Sequence, residues 1–168
     1  MRIAAAARAA LLALCVVGCG QTTAVVTQSF EDSRVDLRLW LDTHAGATTL
    51  VAEFSPIAAN LHLYGTELPM AGVDGAGRPT RVDLVDPGWR ATGPLSASAT
   101  ARLVAYPGLS EPLPVFPDGQ VTLRLPVERA SSSGPDSSIE VEVTFLACSS
   151  NGLCYKPVES FRLAIPTP

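Results

Sequence analysis

From Val35 onward the apolar residues of this chain recur at every second position: Val35, Leu37, Leu39 and Leu41 alternate with Asp36, Arg38, Trp40 and Asp42. Side chains on an extended strand point to opposite faces in turn, so this spacing buries one face and leaves the other in water. The same period sets Ile139, Val141, Val143, Phe145 and Ala147 facing inward, with Glu140, Glu142 and Thr144 facing outward. Further strands are expected at 49–54, 61–64, 81–85, 101–106, 121–127 and 158–165. Turn formers separate them, among them Asp74-Gly75, Asp86-Pro87-Gly88, Pro117-Asp118-Gly119 and Ser133-Gly134-Pro135. The 14 prolines leave little room for long helices, because each removes a backbone donor and fixes φ. Short strands at such spacing predict an all-β fold, an immunoglobulin-like antiparallel β-sandwich. No internal repeat is visible, and the serine-rich stretch 131–138 reads as a flexible loop within the domain.

The amino terminus carries a different pattern. Arg2 and Arg8 precede an apolar run at 9–17 that is too short to span a bilayer. The run ends in Val16-Val17-Gly18-Cys19, which resembles the lipobox of bacterial lipoproteins. That resemblance implies a signal peptide at 1–18 and a lipidated Cys19; the alternative is an ordinary secretory signal in which Cys19 is incidental. Residues 19–33 are expected to form the acylated cysteine and a polar tether, reaching at most roughly 45 Å when extended. The folded domain is then 34–168. By lipoprotein sorting habits, Gly20 after the cysteine points to the outer membrane. The expected location is the cell envelope, facing the periplasm, with membrane contact through the lipid anchor only.

Without Arg2 and Arg8 the chain keeps 10 basic and 16 acidic residues, a net of −6. It has no basic patch or basic aromatic stripe, which argues against a nucleic-acid partner. Export makes a disulfide chemically permissible.

The cysteines outside the leader are Cys148 and Cys154, in Ala147-Cys148-Ser149-Ser150-Asn151-Gly152-Leu153-Cys154-Tyr155-Lys156-Pro157. The loop 149–153 joins two strands expected to be adjacent and antiparallel, with Asn151-Gly152 supplying a positive-φ corner. Such strands can hold two Cα atoms within the roughly 4.4–6.8 Å that a disulfide needs. Chain entropy limits the gain from so small a ring to about 2.4 kcal/mol, and a hairpin that already holds its ends together lowers it further. Both sulfurs are expected at a sheet end near solvent, where a partner thiol could attack. The residues alone leave two readings open, an inert brace and a bond that opens and closes.

The run Cys148-x5-Cys154-Tyr155-x-Pro157, followed by a final strand, resembles the amino-terminal periplasmic domain of the thiol:disulfide interchange protein DsbD family. Weaker likeness lies upstream, in Leu61-His62-Leu63-Tyr64 and the loop 72–80, in Ala105-Tyr106-Pro107-Gly108, and in the strand 121–127. The resemblance covers roughly 34–166. It implies an immunoglobulin-like fold and a redox-active pair: Cys154 attacks a partner's disulfide and Cys148 resolves the mixed disulfide. It further implies that Tyr106 caps the sulfurs and that His62, Tyr64 and Tyr155 line the site. The implied partners are a thioredoxin-like or membrane electron donor on another polypeptide and a periplasmic disulfide-bearing client. Two departures stand out. Lys156 replaces the first proline usual after the second cysteine, and its ammonium could favour a Cys154 thiolate. Tyr106 stands alone where relatives often carry adjacent aromatics.

The rival reading is a non-enzymatic immunoglobulin-like lipoprotein module with a static disulfide. No cofactor is expected. His44 and His62 lack metal-ligand spacing, the glycines of 72–77 lack a phosphate-binding signature, and no Gly-x-Ser-x-Gly is present.

Overall fold

In the computed structural model, which describes residues 24–130 and 138–167, the period-two runs become antiparallel ladders. In chain order the strands are β1 (Val25–Phe30), β2 (Val35–His44), β3 (Ala47–Pro56), β4 (Leu61–His62), β5 (Arg81–Leu84), β6 (Trp89–Ala91) and β7 (Ser96–Ala97). There follow β8 (Arg102–Val104), β9 (Leu113–Val115), β10 (Val121–Arg129), β11 (Ser138–Phe145), β12 (Cys148–Ser149) and β13 (Val158–Pro166). The larger sheet has the order β1-β2-β3-β10-β6, with β7 also paired to β10. The second has the order β13-β11-β5, and two short ladders, β12-β4 and β8-β9, complete the set.

The two main sheets share one core. Val35, Leu37, Leu39, Leu50, Ala52, Phe54, Val121 and Leu123 from the larger sheet are fully buried, as are Ile139, Val141, Val143, Phe145 and Ile165 from the second. The alternation read from the sequence is thus the sandwich's inner face, and the fold is the expected immunoglobulin-like antiparallel sandwich. Phe145 sits at its centre, edge-on to Phe54 at 5.5 Å and to Phe30 at 5.2 Å between ring centroids. A second apolar cluster gathers Tyr64, Leu68, Leu113, Val115, Leu146 and Cys148.

Several expectations are corrected. Val25–Phe30, expected as tether, pairs along its length with β2, from Val25 opposite Trp40 to Phe30 opposite Val35. As an edge strand it half-buries only Val26, Gln28 and Phe30, and one of those three is polar, so its periodicity is faint. Thr144, expected to face outward, is 1% exposed. The β11–β13 register shifts between Val143 and Phe145, and Thr144 Oγ1 accepts a hydrogen bond from the Ser160 amide at 3.1 Å. That bulge turns a polar side chain inward and satisfies it there. The strand expected at 101–106 is only Arg102–Val104, so Tyr106 lies in a turn. That expected at 61–64 is Leu61–His62, with Tyr64 held by a single bridge to Val115. Residues 1–23, including Cys19, and residues 131–137 lie outside the described residues.

Because Phe54 is fully buried between the sheets, Phe54→Ala is expected to cost about 3–5 kcal/mol in urea unfolding. Leu103→Ala, at a side chain 72% exposed, is expected to change stability by less than about 0.5 kcal/mol.

Candidate active site at the cysteine pair

Cys148 and Cys154 are joined, with an S–S distance of 2.04 Å and Cα atoms 4.0 Å apart. The Cα separation falls below the expected range because of the local register. The Ser149 amide donates to the Leu153 carbonyl at 2.8 Å and the Tyr155 amide to the Ala147 carbonyl at 3.0 Å. Those bonds flank Cys148 and Cys154, making them a non-hydrogen-bonded antiparallel pair, the kind whose side chains approach closest. Gly152, at φ +88°, turns the corner, as the Asn-Gly signal predicts. Ser149, 5% exposed, braces the ring: its hydroxyl meets the Asn151 side chain and accepts from the Leu153 amide at 3.2 Å.

The two sulfur-bearing residues differ in exposure. Cys148 follows Ala147, which is fully buried in the main core, and is itself 2% exposed. Cys154 is exposed. The expectation that both lie near solvent is therefore corrected for Cys148: it leaves a core strand before reaching the rim, while Cys154 arrives from the solvent side of the loop.

Cys148 also pairs with His62 across the β12–β4 ladder. Residues opposite one another in an antiparallel pair present their side chains to the same face, and His62 and Tyr64, two apart, extend that face. Together with Ala76, Tyr106, Leu109 and Cys154 they line a largely apolar cavity of about 220 Å³. The Tyr64 hydroxyl donates to Cys148 Sγ at 3.2 Å. Burial, and secondarily the neighbouring Tyr106, push the Tyr64 phenol up to about 12, so it stays a protonated donor at neutral pH. The His62 ring meets Tyr64 edge-on at 5.7 Å, and its Nδ1 lies 3.5 Å from Asp118 Oδ1. His62 is 4% exposed, and burial lowers its pKa despite the opposing pull of the Asp118 carboxylate. Its Nε2 is buried without a hydrogen-bond partner among the described residues.

The wall opposite is the turn after β8. Tyr106 is half-buried, and its carbonyl accepts from the Leu109 amide at 3.2 Å. Its loop is tied to the Asp74-Gly75 hairpin, where Asp74 Oδ2 accepts from the Ser110 amide at 2.7 Å. That bond holds the Asp74 carboxyl below its ordinary range. The hairpin itself has positive φ at both Asp74 and Gly75 between paired Val73 and Ala76, as a two-residue primed turn requires. Gly72 closes its base; a Cβ there would lie 2.0 Å from the Ala76 carbonyl oxygen. The glycine-rich run is a turn that positions one wall of the cavity.

Of the residues singled out from sequence, the structure brings together Cys148, Cys154, His62, Tyr64 and Tyr106. Tyr155 is not with them: half-buried outside the cavity lining, its ring lies 6.0 Å from the Arg34 guanidinium. The Lys156 ammonium is turned to Asp32, 3.4 Å away, in an exposed ion pair at the surface. Two contributors escaped the sequence reading. Asp118 reaches both His62 and, at 3.3 Å, the Ser150 hydroxyl, linking the ring to the ladder beneath it. Ser149 braces the ring from within. Asp118 could be seen only as a turn former, since its two partners are 56 and 32 residues away in the chain.

No curated protein sequence matches the chain. Among solved structures, the crystal structure of the Neisseria meningitidis DsbD n-terminal domain in the reduced form is similar at 16% identity, with a TM-score of 0.48 over 82% of this chain and 87% of that one. The sequence profile described as Thiol:disulfide interchange protein DsbD, N-terminal, matches residues 40–166, which include the whole cavity lining and both cysteines. The chain belongs to the DsbD amino-terminal domain family.

Proposed function

We propose that this chain is an exported thiol–disulfide exchange domain that passes electrons between a thioredoxin-like or membrane donor and periplasmic disulfides. The observation that carries this reading is the unequal exposure of one disulfide: Cys154 faces solvent and Cys148 lies beneath it in an apolar cavity. A static brace gains little from a ring of this size inside a hairpin. An exchange centre needs one sulfur that a partner can reach in line and one held close to resolve the intermediate.

In the reduced domain the Cys154 thiolate attacks a client disulfide, forming a Cys154–client bond and releasing one client thiolate. The Cys148 thiolate then attacks Cys154 Sγ, closing the intramolecular bond and releasing the second client thiolate. Two electrons pass to the client and two sulfurs of the domain are oxidised. A dithiol donor runs the sequence in reverse, entering at Cys154. Tyr64 supplies a fixed donor to Cys148 Sγ, which accepts more strongly as a thiolate than as half of a disulfide. Tyr106, at the rim of the cavity, shields the pair between encounters. Upstream, residues 1–18 are a signal peptide and Cys19 the acylated anchor, holding the domain on the periplasmic face of the envelope, at the outer membrane.

In the Cys148→Ala variant, Cys154 is expected to accumulate as a mixed disulfide with a partner protein on non-reducing gels, while Cys154→Ala captures none. The wild-type disulfide is expected to equilibrate with glutathione at a potential above the roughly −300 mV of structural disulfides. A lower value assigns the bond to a static interaction module. Tyr106→Ala is expected to speed opening of the disulfide by small thiols severalfold. Labelled fatty acid is expected in the wild-type protein expressed in a Gram-negative host and absent from Cys19→Ala.

A further inference from the structure

His62 occupies a position that a cavity-lining residue does not require. Burying an imidazole with an unsatisfied nitrogen costs free energy, and an apolar side chain would fill the same space without that cost. Yet Nε2 is enclosed with no hydrogen-bond partner among the described residues, while Nδ1 faces the Asp118 carboxylate at 3.5 Å. A carboxylate on that side favours the tautomer with its proton on Nδ1, leaving Nε2 as the acceptor nitrogen. Directly across the ladder stands Cys148, on the same face and lining the same cavity.

Cys148 is also the sulfur that needs help. It is 2% exposed in an apolar cluster, where burial disfavours a thiolate and so slows attack. Tyr64 can stabilise the thiolate but, as a protonated phenol, cannot accept its proton. Lys156 is engaged with Asp32. The groups facing His62 are Asp118 from the turn before β10, Arg102 from β8, Tyr64 from its own segment, Tyr106 from the opposite wall and Cys148 itself.

Resting on the exchange reading above, we infer that His62, oriented by Asp118, is the base that takes the proton from the Cys148 thiol in the resolving step. With the domain joined to its client through Cys154, the Cys148 proton moves to His62 Nε2 and the Cys148 sulfur attacks Cys154 Sγ. The Cys154–client bond breaks, the client leaves as a thiolate, and His62 returns the proton to it. Net, the client gains one thiol, the domain closes its disulfide, and His62 is regenerated. In the closed form Cys148 has no thiol proton to offer Nε2, because its sulfur is bonded to Cys154. Neutral His62 is the working form; its pKa lies below the ordinary 6.5, so the base is available at neutral pH and lost as pH falls.

The test uses the reduced full-length protein and an excess of the chromogenic disulfide dithiobis(nitrobenzoate), followed by stopped flow. Wild type is expected to release thionitrobenzoate in two phases, attack by Cys154 and then resolution by Cys148, the second with an acid inflexion below pH 6.5. His62→Gln is expected to slow the second phase by about 10²-fold near neutral pH, abolish that inflexion, and leave the first phase in place. Asp118→Asn, at a side chain 41% exposed and tolerant of change, is expected to move the inflexion to lower pH and slow the second phase less. A wild-type second phase in His62→Gln, or an unmoved inflexion in Asp118→Asn, overturns the assignment. The exchange reading fails separately: a disulfide that glutathione leaves closed removes it even where His62→Gln slows resolution, and one that opens while His62→Gln resolves normally removes only the role of His62.

Discussion

Cys148 is held between two antiparallel neighbours at once, His62 on one side and Cys154 on the other, and the rest of the site depends on that placement. Against Cys154 it is in the non-hydrogen-bonded register, which brings the Cβ atoms close enough for a covalent bond without distorting the ladder on either flank. Against His62 it shares a face of the ladder, so the imidazole lines the same cavity as the sulfur to which the Tyr64 hydroxyl donates. A shift of one residue in either pairing would turn Cys148 to the opposite face and dissolve the arrangement.

That register is secured from below. Phe145 and Ala147 are fully buried in the core just before Cys148, and Phe145 is wedged among Phe54 and Phe30. A close-packed interior permits few alternative positions, so the chain leaves the sandwich at a defined point and angle. Cys154 reaches the same place from an exposed turn. The chemical inequality of the two sulfurs therefore has an architectural origin: one is attached to the core and the other to the surface.

Electrostatics sharpen the same division. The cavity wall is aromatic and aliphatic, and its polar groups are a phenol kept protonated by burial and an imidazole kept neutral by burial. The nearest carboxylate, Asp118, stands behind the imidazole, where it orients the ring and opposes the loss of basicity that burial imposes. The cation next in sequence to the site, Lys156, is drawn off to Asp32.

Much of the sandwich was legible because burial leaves a period of two: the inner faces of β2 and β11 appear in the alternation, β10 appears as a strand, and the Asp-Gly and Asn-Gly turns appear in their dipeptides. Where the physics departs from alternation, the reading failed. The edge strand Val25–Phe30 presents only half a buried face, and the bulge at Thr144 inverts one position for the sake of a hydrogen bond. The amino-acid sequence by itself determined the sheet class, the core residues and a small cysteine ring at the end of a core strand, since each follows from local periodicity and turn chemistry. The tertiary structure alone decided that Cys148 is buried while Cys154 is not, that Lys156 and Tyr155 face away, and that Asp118 stands behind His62. Those relations join residues distant in the chain, and packing and register set them, which no local pattern records.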